Sequence, residues 1–157
     1  MEISDLLAPG AVLPSLKVHG KKQLIHELAM RATHLTGMPE RRIFETLMER
    51  ERLGSTGIGQ GIAIPHGRLA GLSHIVGLFV RLETPIPYDA VDDQAVDLVF
   101  LLLTPEDAGA DHLKALARVS RLLRSQATCG KLRAAKKAEV LYALLTEKSN
   151  GHGQQAA

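Results

Sequence analysis

The segment AVDLVFLLLTP, residues 95–105, decides the fold class of this chain. It is a short apolar run rich in Leu, Val and Phe that a proline ends, which is typical of a strand buried on both faces of a sheet. Two further runs, GIAI at 61–64 and HIVGLFVRLE at 74–83, have a strand composition as well. The segment TPIPYDAVDDQ at 84–94 is rich in proline and aspartate and predicts a connecting loop or a wide hairpin.

Helical patterns flank these strands. Apolar residues recur at helical spacing over 20–36, up to a stop at Gly37, and again from Pro39 to about Leu53. A third helix is predicted from an N-cap at Asp111 to Leu123, and a last amphipathic helix lies near the C-terminus. The residues predicted to face inward are Leu113, Leu116, Ala117 and Ser120 in the third helix and Val140, Leu141, Leu144 and Leu145 in the last.

Helices intermixed with strands around a buried strand predict an α/β fold. We expect a single domain, residues 1–148, with a mixed β-sheet flanked by helices. The remaining residues, SNGHGQQAA at 149–157, are small and polar and predict a disordered C-terminal tail.

The composition excludes several classes of function. Of the 157 residues, 45% are hydrophobic and 23% are charged, as in a soluble globular domain, and no apolar run is long enough for membrane insertion. Aromatic residues are scarce at 3% and the net charge is only +2, so nucleic-acid binding is not predicted. The single cysteine, Cys129, excludes an internal disulfide and does not favour a thiolate metal site. Without a secretory signal pattern, the default expectation is a cytoplasmic protein.

A glycine-rich stretch, GSTGIGQGIAIPHGR at 54–68, is the candidate functional segment. It fits neither common nucleotide-binding fingerprint, because it has no Lys followed by Ser or Thr and its third glycine comes one residue early. Glycines still permit close approach of a ligand and present N–H groups to an anion. The segment therefore predicts a phosphate or oxyanion site. Its candidate residues are the backbone at Gly57, Gly59 and Gly61 and the hydroxyls of Ser55 and Thr56, unless those hydroxyls only cap the turn.

His66 is the candidate reactive residue in this stretch. Pro65 is poor inside a central strand, so His66 is expected at a strand end with Gly67 leaving room beside it. A neutral imidazole can act as a nucleophile near physiological pH, although a lone histidine is as often only a satisfied side chain. His112 is expected at a helix N-terminus, which suits an anion, but position alone favours a structural role for it.

The end of the second helix offers a cation next to the glycine segment. Arg50 and Arg52 flank Glu51, and an arginine there suits phosphate because it is permanently charged and binds oxygens bidentately. Helical geometry places Glu51 nearest the middle of the apolar stripe and one arginine on each side of it. Periodicity therefore does not choose between the two arginines.

The run RERLGSTGIGQGIAIPHG, residues 50–67, resembles the signature of the mannitol/fructose-type IIA domains of the bacterial phosphotransferase system. The similarity extends over roughly residues 2–148 and includes LETPIPYDAVDDQAVDLVFLLLTP at 82–105 and DHL at 111–113. It implies the IIA fold and a phosphotransferase component that needs no cofactor and no metal.

The resemblance also implies roles for individual residues. His66 would be the phosphorylated residue, His112 the second active-site histidine, and Arg50 rather than Arg52 the active-site arginine. Among family members the chain is similar to the stand-alone, nitrogen-related ones. These imply an HPr-like nitrogen phosphocarrier as phosphoryl donor and regulated targets such as potassium-transport or sensor-kinase proteins.

Three alternatives stay open from the sequence. Within the family, the chain could be a sugar-specific mannitol or fructose IIA component that delivers phosphate to a separate IIB protein. Outside it, His66, His112 and Asp111 could serve a metal-dependent hydrolase, or the glycine segment could belong to a non-catalytic module that merely holds an anion.

Overall fold

A mixed β-sheet forms the centre of the computed structural model, which describes residues 1–147. Its strands are β1 (Val12–Leu16), β2 (Gly57–Gly59), β3 (Ile62–Ala63), β4 (His66–Leu69), β5 (Val76–Ile86) and β6 (Val96–Pro105). The helices of this part of the chain are α1 (Ile3–Leu6), α2 (Lys21–Thr36), α3 (Glu40–Arg52), α4 (Ala110–Leu123), α5 (Gln126–Ala134) and α6 (Ala138–Thr146). The predicted α/β fold with a mixed sheet flanked by helices is confirmed. The tail predicted at 149–157 lies outside the described residues.

Strand β6 organises the sheet. The order is β1-β5-β6-β3-β2, and β4 pairs with β6 as well. β6 runs antiparallel to β5, with Phe79 opposite Phe100, and parallel to β4, with His66 opposite Leu102. Every residue of β6 except Asp97 is buried. The strand predicted at 95–105 is therefore confirmed, and the pairing of β4 with it places His66 beside the centre of the sheet.

Gly67 has a different role from the one expected. A Cβ at this position would lie 2.7 Å from Cγ2 of Thr46, so the missing side chain admits helix α3 against strand β4. The sequence suggested that Gly67 leaves room for a ligand beside His66. In the structure helix α3, whose last turn carries Arg50, occupies that space.

We expect Gly67→Ala to lower the free energy of unfolding by about 1–3 kcal/mol, because the added methyl forces α3 and β4 apart. Urea unfolding would measure the loss. Thr46→Ala removes the Cγ2 atom that meets the new methyl, so the double variant should recover most of it. Equal destabilisation in the single and double variants would contradict this account of the α3–β4 contact.

Helix α4 differs from its prediction in both start and face. Its N-cap is Gly109, with φ of 63°, rather than Asp111. The predicted inner stripe was wrong in part: the buried residues are His112, Ala115, Val119 and Leu123, and of the predicted residues Leu116 packs against the core. Leu113 is 66% exposed. The buried face is the apolar stripe of Ala115, Val119 and Leu123, which His112 continues at the start of the helix, so the stripe predicted through Leu113 lies one residue out of register.

Other boundaries differ more modestly. The predicted strand 61–64 pairs only over β3, and α6 leaves Val140 exposed. The proline-rich connection is the turn of the β5–β6 hairpin, but β5 continues into it as far as Ile86. Strand β1 was not predicted, and it contains Pro14, which is tolerated because β1 is an edge strand.

Candidate active site

His66 is held at the first position of β4 with a defined protonation of its ring. Its Nδ1 lies 2.8 Å from the carbonyl oxygen of Ile64. A carbonyl oxygen only accepts hydrogen bonds, so Nδ1 must carry the proton of the neutral ring. The other nitrogen, Nε2, therefore bears the lone pair, and the half-buried side chain keeps it accessible.

Arg50 is the cation that the fold brings to this lone pair. It lies in the last turn of α3, and its Nε donates to Nε2 of His66 at 3.3 Å. Its Nη1 donates to the carbonyl oxygen of Gly54 at 2.8 Å, which fixes the guanidinium against the following turn. Arg52, the alternative that periodicity left open, is exposed. Hydrogen bonds to His66 and to the Gly54 carbonyl therefore hold the guanidinium of Arg50 beside His66.

His112 forms the second wall of the site. Its ring centre lies 5.7 Å from that of His66, with the two planes tilted by 58°. Its Nδ1 lies 2.6 Å from Oγ1 of Thr104, a fully buried residue near the end of β6. This contact orients the imidazole of His112, which lies on the same buried face of α4 as Ala115 and Val119.

Ser55 and Thr56, predicted as phosphate donors, are engaged in holding the chain. Ser55 Oγ donates to the carbonyl oxygen of Tyr88 at 3.1 Å and accepts from the N–H of Gly57 at 3.0 Å. Thr56 is buried, and both its N–H and its hydroxyl bond to the carboxylate of Glu51. These hydroxyls fix the start of the glycine segment.

The glycines of the segment are placed by other neighbours. A Cβ on Gly57 would lie 2.7 Å from that of Ala90, and one on Gly61 would lie 2.6 Å from Nη2 of Arg133. A Cβ on Gly59 would lie 3.2 Å from Oδ2 of Asp92. The structure does not bring Gly59 and Gly61 to the histidine.

The register of the sheet shows this separation. Ile62, next to Gly61, pairs with Leu98, whereas His66 pairs with Leu102. Four residues along a strand correspond to roughly 13 Å. The small residues of this segment therefore permit close approach of the protein's own chain.

Arg68 is a site residue that sequence reasoning missed. It is exposed, lies two residues after His66 in β4 and so shares its face, and pairs opposite Thr104 in β6. Its charge reaches His112 and lowers the pKa of that ring. The alternation of a strand starting at His66 would have indicated it, but no strand was predicted there.

Both histidines are tuned toward the neutral form. Burial lowers the pKa of His66 below its usual 6.5, and the charge of Arg50 lowers it further, against the opposing effects of the Ile64 hydrogen bond and of Glu51. Burial also lowers the pKa of His112, with smaller contributions from Arg68 and His66. Near neutral pH the site therefore offers unprotonated ring nitrogens next to two arginines.

We expect NMR titration to give midpoints below 6.5 for both rings, and Arg68→Ala to raise that of His112. Because the folded state binds these protons more weakly, the stability they confer is complete above pH 6.5 and decreases as the pH falls through the folded pKa values. Arg118→Ala, which removes a distant arginine of α4 paired with Glu2, serves as control. Midpoints above 6.5, or equal shifts in both variants, would contradict the assignment.

The described part of the chain supports neither a metal site nor a membrane-spanning helix. Among residues 1–147, no three His, Cys, Asp or Glu side chains are grouped so as to hold a metal ion. Asp111, the third ligand considered for a hydrolase, lines a separate cavity with Asp5 and His74. None of the helices in the described range is long and apolar enough to cross a membrane.

A half-buried histidine with an unprotonated Nε2 thus lies against an arginine and a second histidine. Residues 5–148 match the family described as phosphoenolpyruvate-dependent sugar phosphotransferase system, EIIA 2. The chain belongs to this family.

Within the family the chain resembles nitrogen regulatory proteins. It is 58% identical over 145 residues to the nitrogen regulatory protein of Bradyrhizobium diazoefficiens, covering 92% of this chain and 95% of that one. The crystal structure of nitrogen regulatory protein IIA-Ntr from Neisseria meningitidis superposes with a TM-score of 0.87 at 36% identity, covering 92% of this chain and 99% of the other. The mannitol enzyme IIA of Escherichia coli, solved in complex with its phosphorylated IIB, shares the fold at a TM-score of 0.76 and 17% identity, covering 91% of this chain and 100% of that one.

Proposed function

We propose that this protein is a phosphohistidine carrier of a nitrogen-related phosphotransferase system, acting in the cytoplasm, and that His66 accepts the phosphoryl group on Nε2. One observation carries the proposal. The hydrogen bond between Nδ1 and the carbonyl of Ile64 leaves Nε2 unprotonated, and its lone pair accepts a hydrogen bond from Nε of Arg50 at 3.3 Å. A nucleophile and a cation for the phosphoryl oxygens thus meet at one point.

The transfer step needs no proton to move. The N–H of Arg50 first shifts its hydrogen bond from Nε2 of His66 to the incoming phosphoryl oxygens. The Nε2 lone pair then forms the new bond to phosphorus, and the bond from phosphorus to the donor's histidine nitrogen breaks with its electron pair returning to that nitrogen. Nδ1 keeps its proton and its hydrogen bond to Ile64 throughout. An HPr-like phosphocarrier is the donor that fits this exchange between two histidines, and it is the donor we propose.

The surrounding residues act on the charge of the phosphoryl group. Catalysis of such a transfer rests on positioning and on electrostatic stabilisation of the equatorial oxygens. The guanidinium of Arg50 is within reach of them, and a charge-assisted hydrogen bond contributes about 1.5–3 kcal/mol. His112, 5.7 Å from His66 between ring centres, and Arg68 are the further residues that we propose to contact the oxygens. In this proposal residues 1–148 form the carrier domain.

The regulatory role follows from the change of charge. A neutral ring becomes a phosphorylated one that carries nearly two negative charges, which alters any protein interface formed around it. The similarity to nitrogen regulatory proteins supports target proteins that recognise this change of charge. Potassium-transport and sensor-kinase proteins are the classes that we propose. A sugar-specific role with a separate IIB protein is less well supported, since identity reaches 58% to a nitrogen regulatory protein but only 33–36% to fructose-specific components and 17% to the mannitol enzyme.

The test is transfer from a defined donor. The protein is incubated with phosphoenolpyruvate, enzyme I and an HPr-like nitrogen carrier, and intact mass is measured before and after brief acid treatment. We expect a gain of one phosphoryl group that acid removes and that omission of the HPr-like carrier prevents. A protein that gains no mass, or gains an acid-stable phosphate, is not such a carrier. Onward transfer to a mannitol or fructose IIB protein would instead support the sugar-specific alternative.

A further inference from the structure

Glu51 is a buried carboxylate that the transfer chemistry does not use. It follows Arg50 in α3 and is 8% exposed. Its position continues the buried stripe of Ile43 and Leu47, where an apolar residue would be expected. Burying a carboxylate is costly unless it is fully paired, so this position needs a reason beyond packing.

The carboxylate joins three segments of the chain. One oxygen, Oε1, pairs with Nζ of Lys21 at 2.9 Å and accepts from the N–H of Thr56 at 3.0 Å. The other, Oε2, accepts from the hydroxyls of Thr56 and of Tyr88, the latter at 3.2 Å. The first turn of α2, the glycine segment and the β5–β6 connection are thus fixed to the end of α3.

One of these links leads to the reactive histidine. The carbonyl oxygen of Thr56 accepts from the N–H of Ile64 at 3.0 Å. The carbonyl oxygen of the same Ile64 accepts from Nδ1 of His66 at 2.8 Å. A continuous series of hydrogen bonds therefore runs from the Glu51 carboxylate through Thr56 and Ile64 to the nitrogen that decides which tautomer His66 adopts.

We propose that Glu51 is a positioning residue for His66. By holding Thr56 through both its N–H and its hydroxyl, it fixes the Ile64 carbonyl, keeps the proton on Nδ1 and leaves Nε2 as the nucleophile. The effect on transfer rate rests on the proposed function above. The effect on the tautomer does not, so the two can fail separately.

The experiment measures the tautomer first. Nitrogen-15 NMR of the imidazole distinguishes a ring protonated at Nδ1 from one protonated at Nε2. We expect the wild-type protein to show the Nδ1–H form of His66 and Glu51→Gln to show an increased share of Nε2–H. The amide offers only one acceptor oxygen to the donors that the carboxylate satisfies. Glu49→Gln, on an exposed residue of the same helix turn, should leave the spectrum unchanged.

Transfer kinetics provide the second measurement. The rate at saturating carrier should fall roughly 10- to 100-fold in Glu51→Gln, with the half-saturating carrier concentration unchanged, because the nucleophile is misoriented while the docking surface is intact. Lys21→Met separates positioning from simple loosening, since it removes the ion pair with Oε1 of Glu51 and leaves both bonds of Thr56 to Glu51 in place. It should reduce stability and leave the tautomer as in the wild type.

Each outcome of these measurements either supports or overturns the role proposed for Glu51. A folded Glu51→Gln with the wild-type tautomer overturns the proposal, and so does a Lys21→Met protein whose tautomer shifts equally. If Glu51→Gln does not fold, Thr56→Val, which retains the backbone link, should still shift the tautomer part of the way, and a folded variant without that shift overturns it. If the wild-type protein accepts no phosphoryl group, the proposed function fails while the tautomer comparison still tests Glu51.

Discussion

His66→Ala is expected to abolish phosphoryl acceptance, with no mass gain under conditions that phosphorylate the wild-type protein fully. The reason is that His66 supplies the lone pair at Nε2 that the Ile64 hydrogen bond leaves free. His112 stands with its ring centre 5.7 Å away and its Nδ1 against Thr104, so it is not expected to take over. Intact mass after incubation with the complete donor system measures the result.

His34→Ala is the matched control, because His34 is an exposed histidine near the end of α2. It should accept the phosphoryl group at the wild-type rate. Urea unfolding of His66→Ala establishes that the fold is retained. A folded His66→Ala protein that still gains an acid-labile phosphoryl group would place the reactive nitrogen on another residue, and the proposed roles of Arg50 and Ile64 would fail with it.

The second large effect is expected at Arg50. Losing a charge-assisted hydrogen bond of about 1.5–3 kcal/mol to the phosphoryl oxygens should slow transfer by about 10- to 150-fold in Arg50→Ala. His66 would remain modifiable, so the final mass gain should be unchanged and only the rate should fall. Stopped time courses followed by intact mass separate rate from extent.

Arg52→Ala provides the control in the same helix turn. Arg52 is exposed, whereas Arg50 donates to both His66 and Gly54, so Arg52→Ala should transfer at close to the wild-type rate. Arg50→Lys should recover part of the rate, since it retains the charge but loses the fork of donors. Equal slowing of the two alanine variants would indicate a general effect of positive charge on carrier docking instead of a contact with the phosphoryl group.

Much of the fold was predictable because burial dominates it. β6 is buried on both faces, and its uninterrupted apolar run identified it at once. The prediction failed for the face of α4, where two overlapping stripes compete. The buried one runs through Ala115, Val119 and Leu123 and carries His112 against Thr104, so Leu113 faces outward. Edge strand β1, interrupted by Pro14 and Ser15, has too little apolar alternation to be recognised.

Part of the site was also predictable, because the spacing of buried residues in a helix follows from the sequence. Helical geometry placed Glu51 at the middle of the buried stripe of α3, and the structure buries it there. Geometry did not choose between Arg50 and Arg52; the family resemblance did. The glycines were interpreted as anion donors because a sequence shows that a side chain is absent, but not which neighbour fills the space. At Gly57 and Gly61 the neighbours are Ala90 and Arg133.

The bond from His66 to a main-chain carbonyl has a consequence for the protein as a signal. Many reactive histidines are oriented by a carboxylate, whose own ionisation varies with acidity. The carbonyl of Ile64 cannot itself gain or lose a proton, so the direct partner of the ring keeps the same charge as acidity varies. Above the lowered pKa values of His66 and His112, the unmodified site keeps one charge state. A partner that reads this surface would then respond to the phosphoryl group and remain indifferent to modest acidification of the cell.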